Sequence, residues 1–248
     1  MATARSLADQ QRIQQLQLRA ALLRQLLEAY QVLNQRRLDQ TFPQWFRLVA
    51  NLIVVYRGYS ASVAGRYVRE VRNLTVDGPP PAVPVRPLPV AQVQKALQVT
   101  SVRTVKQAAA RRVTPREAAN LGFVNSSGAA TRLALNAGRE MVIDTVQADR
   151  LALGWMRITD GDPCAFCAML ASAGARYKSE ETASFQAHAH CGCTAAPIYD
   201  RSDPVPDLNR QFAKLWRKST RGLKGQDAFN AFRRAHEASQ VQSKVAPS

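Results

Sequence analysis

A mainly α protein with a small α+β module, a β-ribbon tied by cysteines, is the fold class this sequence predicts. Three observations predict it. Apolar residues recur at helical spacing over most of the chain, six prolines interrupt it within residues 77–90, and all four cysteines lie within residues 164–193. The expected order is a helical N-terminal hairpin over 1–75, a Pro-rich linker over 76–90, a helical middle and cysteine knuckle over 91–200, and a basic helical tail over 201–248.

Ile13, Leu16, Ala20, Leu23, Leu27 and Tyr30 follow alternating steps of three and four, which places them on one stripe of a long first helix. That stripe requires a partner, either a second helix of the same chain or a second copy of the protein. Thr41-Phe42-Pro43 has the form of a cap and early proline opening a second helix through Trp45, Leu48, Leu52 and Tyr56. An antiparallel hairpin is the economical packing. "DGPPPAVPVRPLPV" admits neither helix nor central strand and predicts an extended, polyproline-like run, with the domain boundary placed there. Residues 91–112 are helical in composition, and Thr114-Pro115-Arg116-Glu117 has capping-box spacing. An Ala-rich helix is expected over 127–150. Past Gly154 the period changes: "WMRIT" and "TAAPIY" predict short strands flanking the cysteines, with a loop and a short helix between them. Residues 209–238 return to a helical pattern with Phe212, Leu215 and Trp216 on an apolar face, and the last ten residues are expected to be disordered.

At 248 residues and 46% hydrophobic, the chain can bury a core. Its formal net charge of +16 is unusual for an enzyme of small metabolites and points to a polyanionic partner. The charge is uneven. Residues 1–75 carry 11 basic and 4 acidic groups, 76–150 carry 10 and 5, and 201–248 carry 10 and 4, whereas 151–200 carry 3 and 5. The cysteine window is therefore an acidic island, and the site and the charge serve different purposes. The first residues lack the apolar core of a secretory signal. The longest apolar run, nine residues over 48–56, is far short of the roughly 20 that a membrane helix needs. The expectation is a protein made in the cytosol, with no membrane contact, whose cysteines are ligands rather than disulfides.

Cys164 and Cys167 stand in CxxC spacing, and His188, Cys191 and Cys193 follow as HxxCxC. Two such pairs separated by about 20 residues are the usual means of closing a loop on one tetrahedral ion. The module is thus expected to be a zinc-stapled β-ribbon. Zn2+ takes four ligands and five are offered, so one of His188, Cys191 and Cys193 would lie outside the inner shell.

Three catalytic chemistries use residues of these types. Pro163-Cys164-x-x-Cys167 matches half of the zinc deaminase signature, but no His or Cys precedes Cys164 to supply the other half. A thioredoxin-like CxxC needs a βαβ setting that the helical surroundings do not offer. A zinc-dependent nuclease of the HNH, treble-clef type remains as the alternative, with His190 its candidate base. His236, in a basic helix, is expected to be a solvated surface histidine. No complete catalytic set is present, so the expectation is that the protein is not an enzyme.

With these residues in view, the window resembles the C-terminal module of phage Mu F-like minor head proteins, the phage head morphogenesis family. The resemblance runs over residues 129–200. It lies in the order of Trp155, Asp160 or Asp162, Cys164 and Cys167, Gly174, then His188, Cys191 and Cys193 entering a strand. Ala189 stands where that family usually has proline, and Gly192 where it has arginine. The resemblance implies a minor capsid protein of a tailed phage, residing in the virion head interior, associated with portal and capsid proteins and with packaged double-stranded DNA, and without catalytic residues.

Overall fold

The computed structural model describes residues 3–177, 185, 187–202 and 205–245. Helix α1 (Ala4–Tyr30) folds back through residues 31–37 onto α2 (Leu38–Arg72). The proline-rich run leads to α3 (Val90–Gln98), a turn of π-helix over Val99–Arg103, and α4 (Thr104–Ala110). The 34-residue α5 (Pro115–Ala148) crosses α2 along much of its length. Strands β1 (Gly154–Ile158), β2 (Ala175–Tyr177) and β3 (Thr194–Ile198) form an antiparallel sheet in the order β2-β1-β3, with α6 (Ala165–Ser172) between β1 and β2. Helices α7 (Asp207–Ser219) and α8 (Gly225–Val245) follow.

Several sequence expectations are met. The capping box at Thr114 and Glu117 forms, with Pro115 in the first helical turn. The two expected strands form within one residue of their bounds, and a short helix lies between them. Others need correction. The first helix buries Leu7, Gln11, Gln15, Leu22, Leu26 and Tyr30, not the expected stripe; of that stripe Tyr30 alone is buried, and Ile13 and Leu27 are about half exposed, at 47% and 51%. The buried stripe steps mainly by four and carries two glutamines, which a search for apolar residues passes over. Gln15 is buried because it exchanges hydrogen bonds with Ser60: its Nε2 donates to the Ser60 carbonyl at 3.0 Å and its Oε1 accepts from Ser60 Oγ at 2.7 Å.

Helix α2 starts one turn before the expected Thr41 cap. Thr41 Oγ1 instead donates to the Arg37 carbonyl and accepts from Asn34 N–H, closing the α1–α2 connection. The middle is one helix from Pro115 rather than a separate helix beginning at residue 127, and Gly122, Ser126, Ser127 and Gly128 lie on its buried face. Helix α8 continues through Val245, where disorder was expected; residues 246–248 lie outside the described residues.

Two cores organise the helices. Leu22, Leu26, Trp45, Val49, Ile53, Leu97, Val102 and Leu133 pack at one end. Leu7, Ala64, Tyr67, Val68, Val142, Val146, Trp155 and Ile198 pack at the other, where α1, α2 and α5 meet the sheet. Residues 1–75 and 91–200 share both cores. The proline-rich run is strapped to α2 and α5: Arg86 pairs with Asp144, and Arg57 Nη2 donates to the Arg86 carbonyl at 2.7 Å. Near the end of α2, Arg72 Nε donates to Asp149 Oδ2 at 2.7 Å, and Tyr199 Oη donates to the same oxygen at 3.1 Å. This buried knot ties the ends of α2, α5 and β3 together.

Candidate metal centre

Local structure sets the donors. Cys164 is the N-cap residue of α6, and Cys167 lies in its first turn. Cys164 is exposed at this corner while Cys167 is buried. The other donors lie on the turn that enters β3: Cys191 N–H donates to the His188 carbonyl at 3.3 Å, and His190 takes a left-handed backbone with φ of 63°. His and Asn tolerate that conformation better than most side chains. The sheet pairing of β1 with β3 brings the two halves together.

All five expected donors meet. The Cys164 Sγ is 2.9 Å and the Cys167 Sγ 3.3 Å from His188 Nε2, and Cys167 Sγ is 3.6 Å from Cys191 Sγ. Cys164, Cys167 and His188 form one close triad and Cys167, Cys191 and Cys193 another, so Cys167 belongs to both. The four cysteines are free thiols, not disulfides. His188 Nδ1 donates to the Ala189 carbonyl, which turns Nε2 toward the sulfurs. Such a bond at the other ring nitrogen is how a metal-ligating histidine is oriented.

The sulfurs share protons unevenly. Hydrogen bonding from Cys167, and then His188, draws the Cys164 thiol down to about 5. Cys191 is held well below the usual thiol range by Cys167, Cys193 and Arg139. Cys167 is pushed far up because it donates to its neighbours. Cys193, despite its hydrogen bond with Cys167, is pushed up to about 12 by Cys191 and burial. Four sulfurs that share protons among themselves form a donor set that a soft cation completes by replacing those protons. Two sulfurs on one zinc lie about 3.8 Å apart at the tetrahedral angle, close to the 3.6 Å between Cys167 and Cys191. The residues present therefore fit a metal ion.

Several residues that sequence reasoning missed surround the cluster. Arg139 of α5 donates from Nε to the Cys193 carbonyl at 2.9 Å and from Nη2 to the Cys191 carbonyl at 2.6 Å. Arg157 of β1 reaches toward Cys167 and lies 3.8 Å from the centre of the Phe185 ring. Asp160 Oδ2 accepts from Gly192 N–H at 3.2 Å, and a Cβ at Gly192 would lie 2.4 Å from that oxygen. The glycine that departs from the resembled pattern is thus required here, because Asp160 fills the space. One signal for Arg139 was in the sequence: Leu135, Arg139, Val142 and Val146 step by four, three and four on one buried face.

The remaining histidines are accounted for. His190 bonds the Val124 carbonyl, and its ring lies against Gly128. His236 corrects the expectation of a solvated side chain: it is 2% exposed, between Phe212 and Phe232 at ring separations of 5.7 and 5.9 Å. Burial lowers its pKa. With Ala168, Ala171 and Met169 of α6, these aromatics seat α7 and α8 on the helix that carries Cys167. The basic tail and the cysteine module are joined.

The family described as VG15 protein, a viral protein family, matches residues 1–219, and the chain belongs to it. No curated protein and no solved structure matches. Among the described residues no helix is long and apolar enough to cross a membrane.

Proposed function

We propose that this member of a viral protein family is a structural minor capsid protein of a tailed phage, a head morphogenesis protein associated with the portal and the packaged genome. Its cysteine centre holds one structural zinc through four of the five donors Cys164, Cys167, His188, Cys191 and Cys193, and its basic surface contacts double-stranded DNA without regard to sequence. What carries the reading is membership of that family by a chain whose cluster of metal donors, among the described residues, is built as a staple. The donors contact one another beside Arg139 and Arg157, and three of the four cysteines, Cys167, Cys191 and Cys193, pack with Phe166, Phe185 and Ala187. The order of residues from Trp155 to Cys193, which resembles the Mu F-like module, supports the finer assignment.

A nuclease would need an open metal position or a base free to act on water. His190, the candidate base, has its ring committed to Val124 and Gly128, so the alternative gains no support.

The decisive experiment takes particles of a phage that encodes this chain. After disruption, the protein should co-purify with the portal, contain one zinc per chain by elemental analysis, and leave plasmid and single-stranded DNA intact in magnesium, manganese or zinc. Absence from particles would defeat the capsid assignment. Metal-dependent cleavage that disappears in His190→Ala would move the protein to the nucleases.

A further inference from the structure

The centre has a cation built into its roof. Arg139 is 4% exposed and rises from the middle of α5, flanked by Leu135 and Val142 on the same buried face. Each nitrogen of its planar fork donates a hydrogen bond. Nη1 donates to Asn136 Oδ1 at 2.8 Å, Nη2 to the Cys191 carbonyl at 2.6 Å and Nε to the Cys193 carbonyl at 2.9 Å. These are all neutral acceptors. Burial works against the cation, and among the described residues the groups beside it that can bear negative charge are Cys191, Cys193 and Cys167.

A guanidinium removed from water without an anionic partner costs several kcal/mol, and a neutral donor such as glutamine could satisfy two carbonyls without that cost. A metal-bound cysteine cluster beside it would supply the negative charge that offsets this cost. A zinc ion with three thiolates and one imidazole carries −1, and with four thiolates −2, so the loaded centre is the anion this position requires. The same fork fixes the turn itself, because both carbonyls it holds belong to ligand residues and set where their sulfurs point.

We propose that Arg139 is the counter-cation and positioning residue of the metal centre: it neutralises the zinc–thiolate cluster and holds Cys191 and Cys193 in the orientation that completes it. The proposal rests on the zinc reading above. Arg157, with its Nη1 3.9 Å from Cys167 Sγ, adds a second cation on the opposite strand.

The test uses the full chain and zinc alone, with affinity read by competition against a chromophoric chelator and ligand geometry read from the visible spectrum of the cobalt(II)-substituted protein. Arg139→Gln and Arg139→Met should bind zinc about 10- to 100-fold more weakly, the range found when a residue supporting a metal ligand is lost, with altered cobalt bands. Arg139→Lys, which keeps the charge but not the fork, should fall between them and the wild type. Val142→Ala, a cavity on the same helix, should lower the melting temperature and leave the cobalt spectrum unchanged. Should the neutral variants not be recovered folded, Asn136→Ala decides: it frees one arm of the guanidinium and should weaken zinc several-fold. Wild-type affinity and spectrum in Arg139→Gln or in Asn136→Ala, or a lysine variant no better than glutamine, would overturn the proposal with the zinc reading intact. Wild-type protein that binds no zinc would overturn both.

Discussion

The ring of His190 lies so close to Gly128 that a Cβ there would sit 2.4 Å from its Nε2, with two more ring atoms within 2.8 Å. A glycine in the middle of a helix is otherwise a cost, so Gly128→Ala should gain up to about 1 kcal/mol from helix propensity. The collision opposes it, and overpacking typically costs about 1–3 kcal/mol. The clash wins because His190 is fixed by its own turn between two candidate ligands. We expect Gly128→Ala to lower the melting temperature and weaken zinc. The double variant with His190→Ala should recover most of the loss. Equal losses in single and double variants would show that the ring is not the obstacle.

Removing the metal should reach beyond the cysteine module. One side of α6 carries Cys167 and the other, through Ala168 and Ala171, seats Phe212 and Phe232. Chelation should therefore raise amide exchange first in residues 164–177 and 187–199, then in α7 and α8, while Trp45, Val49 and Leu133 of the far core stay protected. Measured by hydrogen exchange with and without chelator, uniform loss of protection throughout would contradict this order.

His236 gives the tail a pH dependence. Its ring is buried against Phe212 and Phe232, its Nδ1 has no partner among the described residues, and burial lowers its pKa below that of the unfolded chain. The unfolded chain then binds the proton more readily. The contribution is fully present above about pH 6.5, the unfolded value, and declines as pH falls through it toward the lower folded value. His236→Phe should flatten the fall in stability between pH 7 and 5, followed by urea unfolding. An unchanged slope would reject the assignment.

The opposite sign applies at Asp149. Burial raises its pKa, but hydrogen bonds from Arg72, Leu151 N–H and Tyr199 overcome this and hold the carboxyl below its ordinary value. Its contribution is present above about pH 3.9, the unfolded value, and is lost as pH falls below that. Asp149→Ala leaves the buried Arg72 cation unpaired and should cost about 3–5 kcal/mol, read as a shift of the urea midpoint at pH 7.

What was legible in the sequence was local. Capping at Thr114, the strands around Trp155 and Thr194 and the meeting of the five donors follow from residue type and short spacing. What was not legible depends on partners distant in the chain. Gln15 reads as solvent-facing until Ser60, 45 residues on, takes both its hydrogen-bonding groups. Arg139 falls in step with Leu135, Val142 and Val146, but its acceptor, the carbonyl of Cys191, lies 52 residues later. His236 reads as exposed because its helix is basic, yet α6 and α7 close over it. In each case a polar side chain occupies a helix's buried face, which apolar periodicity alone assigns to solvent.

The surface left uncovered by that packing is where DNA contact should lie. Helix α7 turns Phe212, Leu215 and Trp216 inward, and Lys214, Arg217 and Lys218 outward, followed at the α7–α8 turn by exposed Arg221 and Lys224. Asp207, at the start of α7, is already paired with Arg5 and Arg210, so it does not neutralise this end. Each phosphate neutralised on duplex DNA steepens the logarithmic salt dependence of affinity by about 0.9. Replacing Lys214, Arg217, Lys218 and Arg221 by glutamine should therefore flatten the slope by up to about 3.6 and weaken all duplex sequences alike. These side chains are solvent-facing, so melting temperature and zinc content should stay as in wild type. Fluorescence anisotropy with two unrelated duplexes across a salt series measures both quantities. A slope unchanged by the four substitutions would place the contact elsewhere, and a loss confined to one duplex would contradict sequence-independent binding.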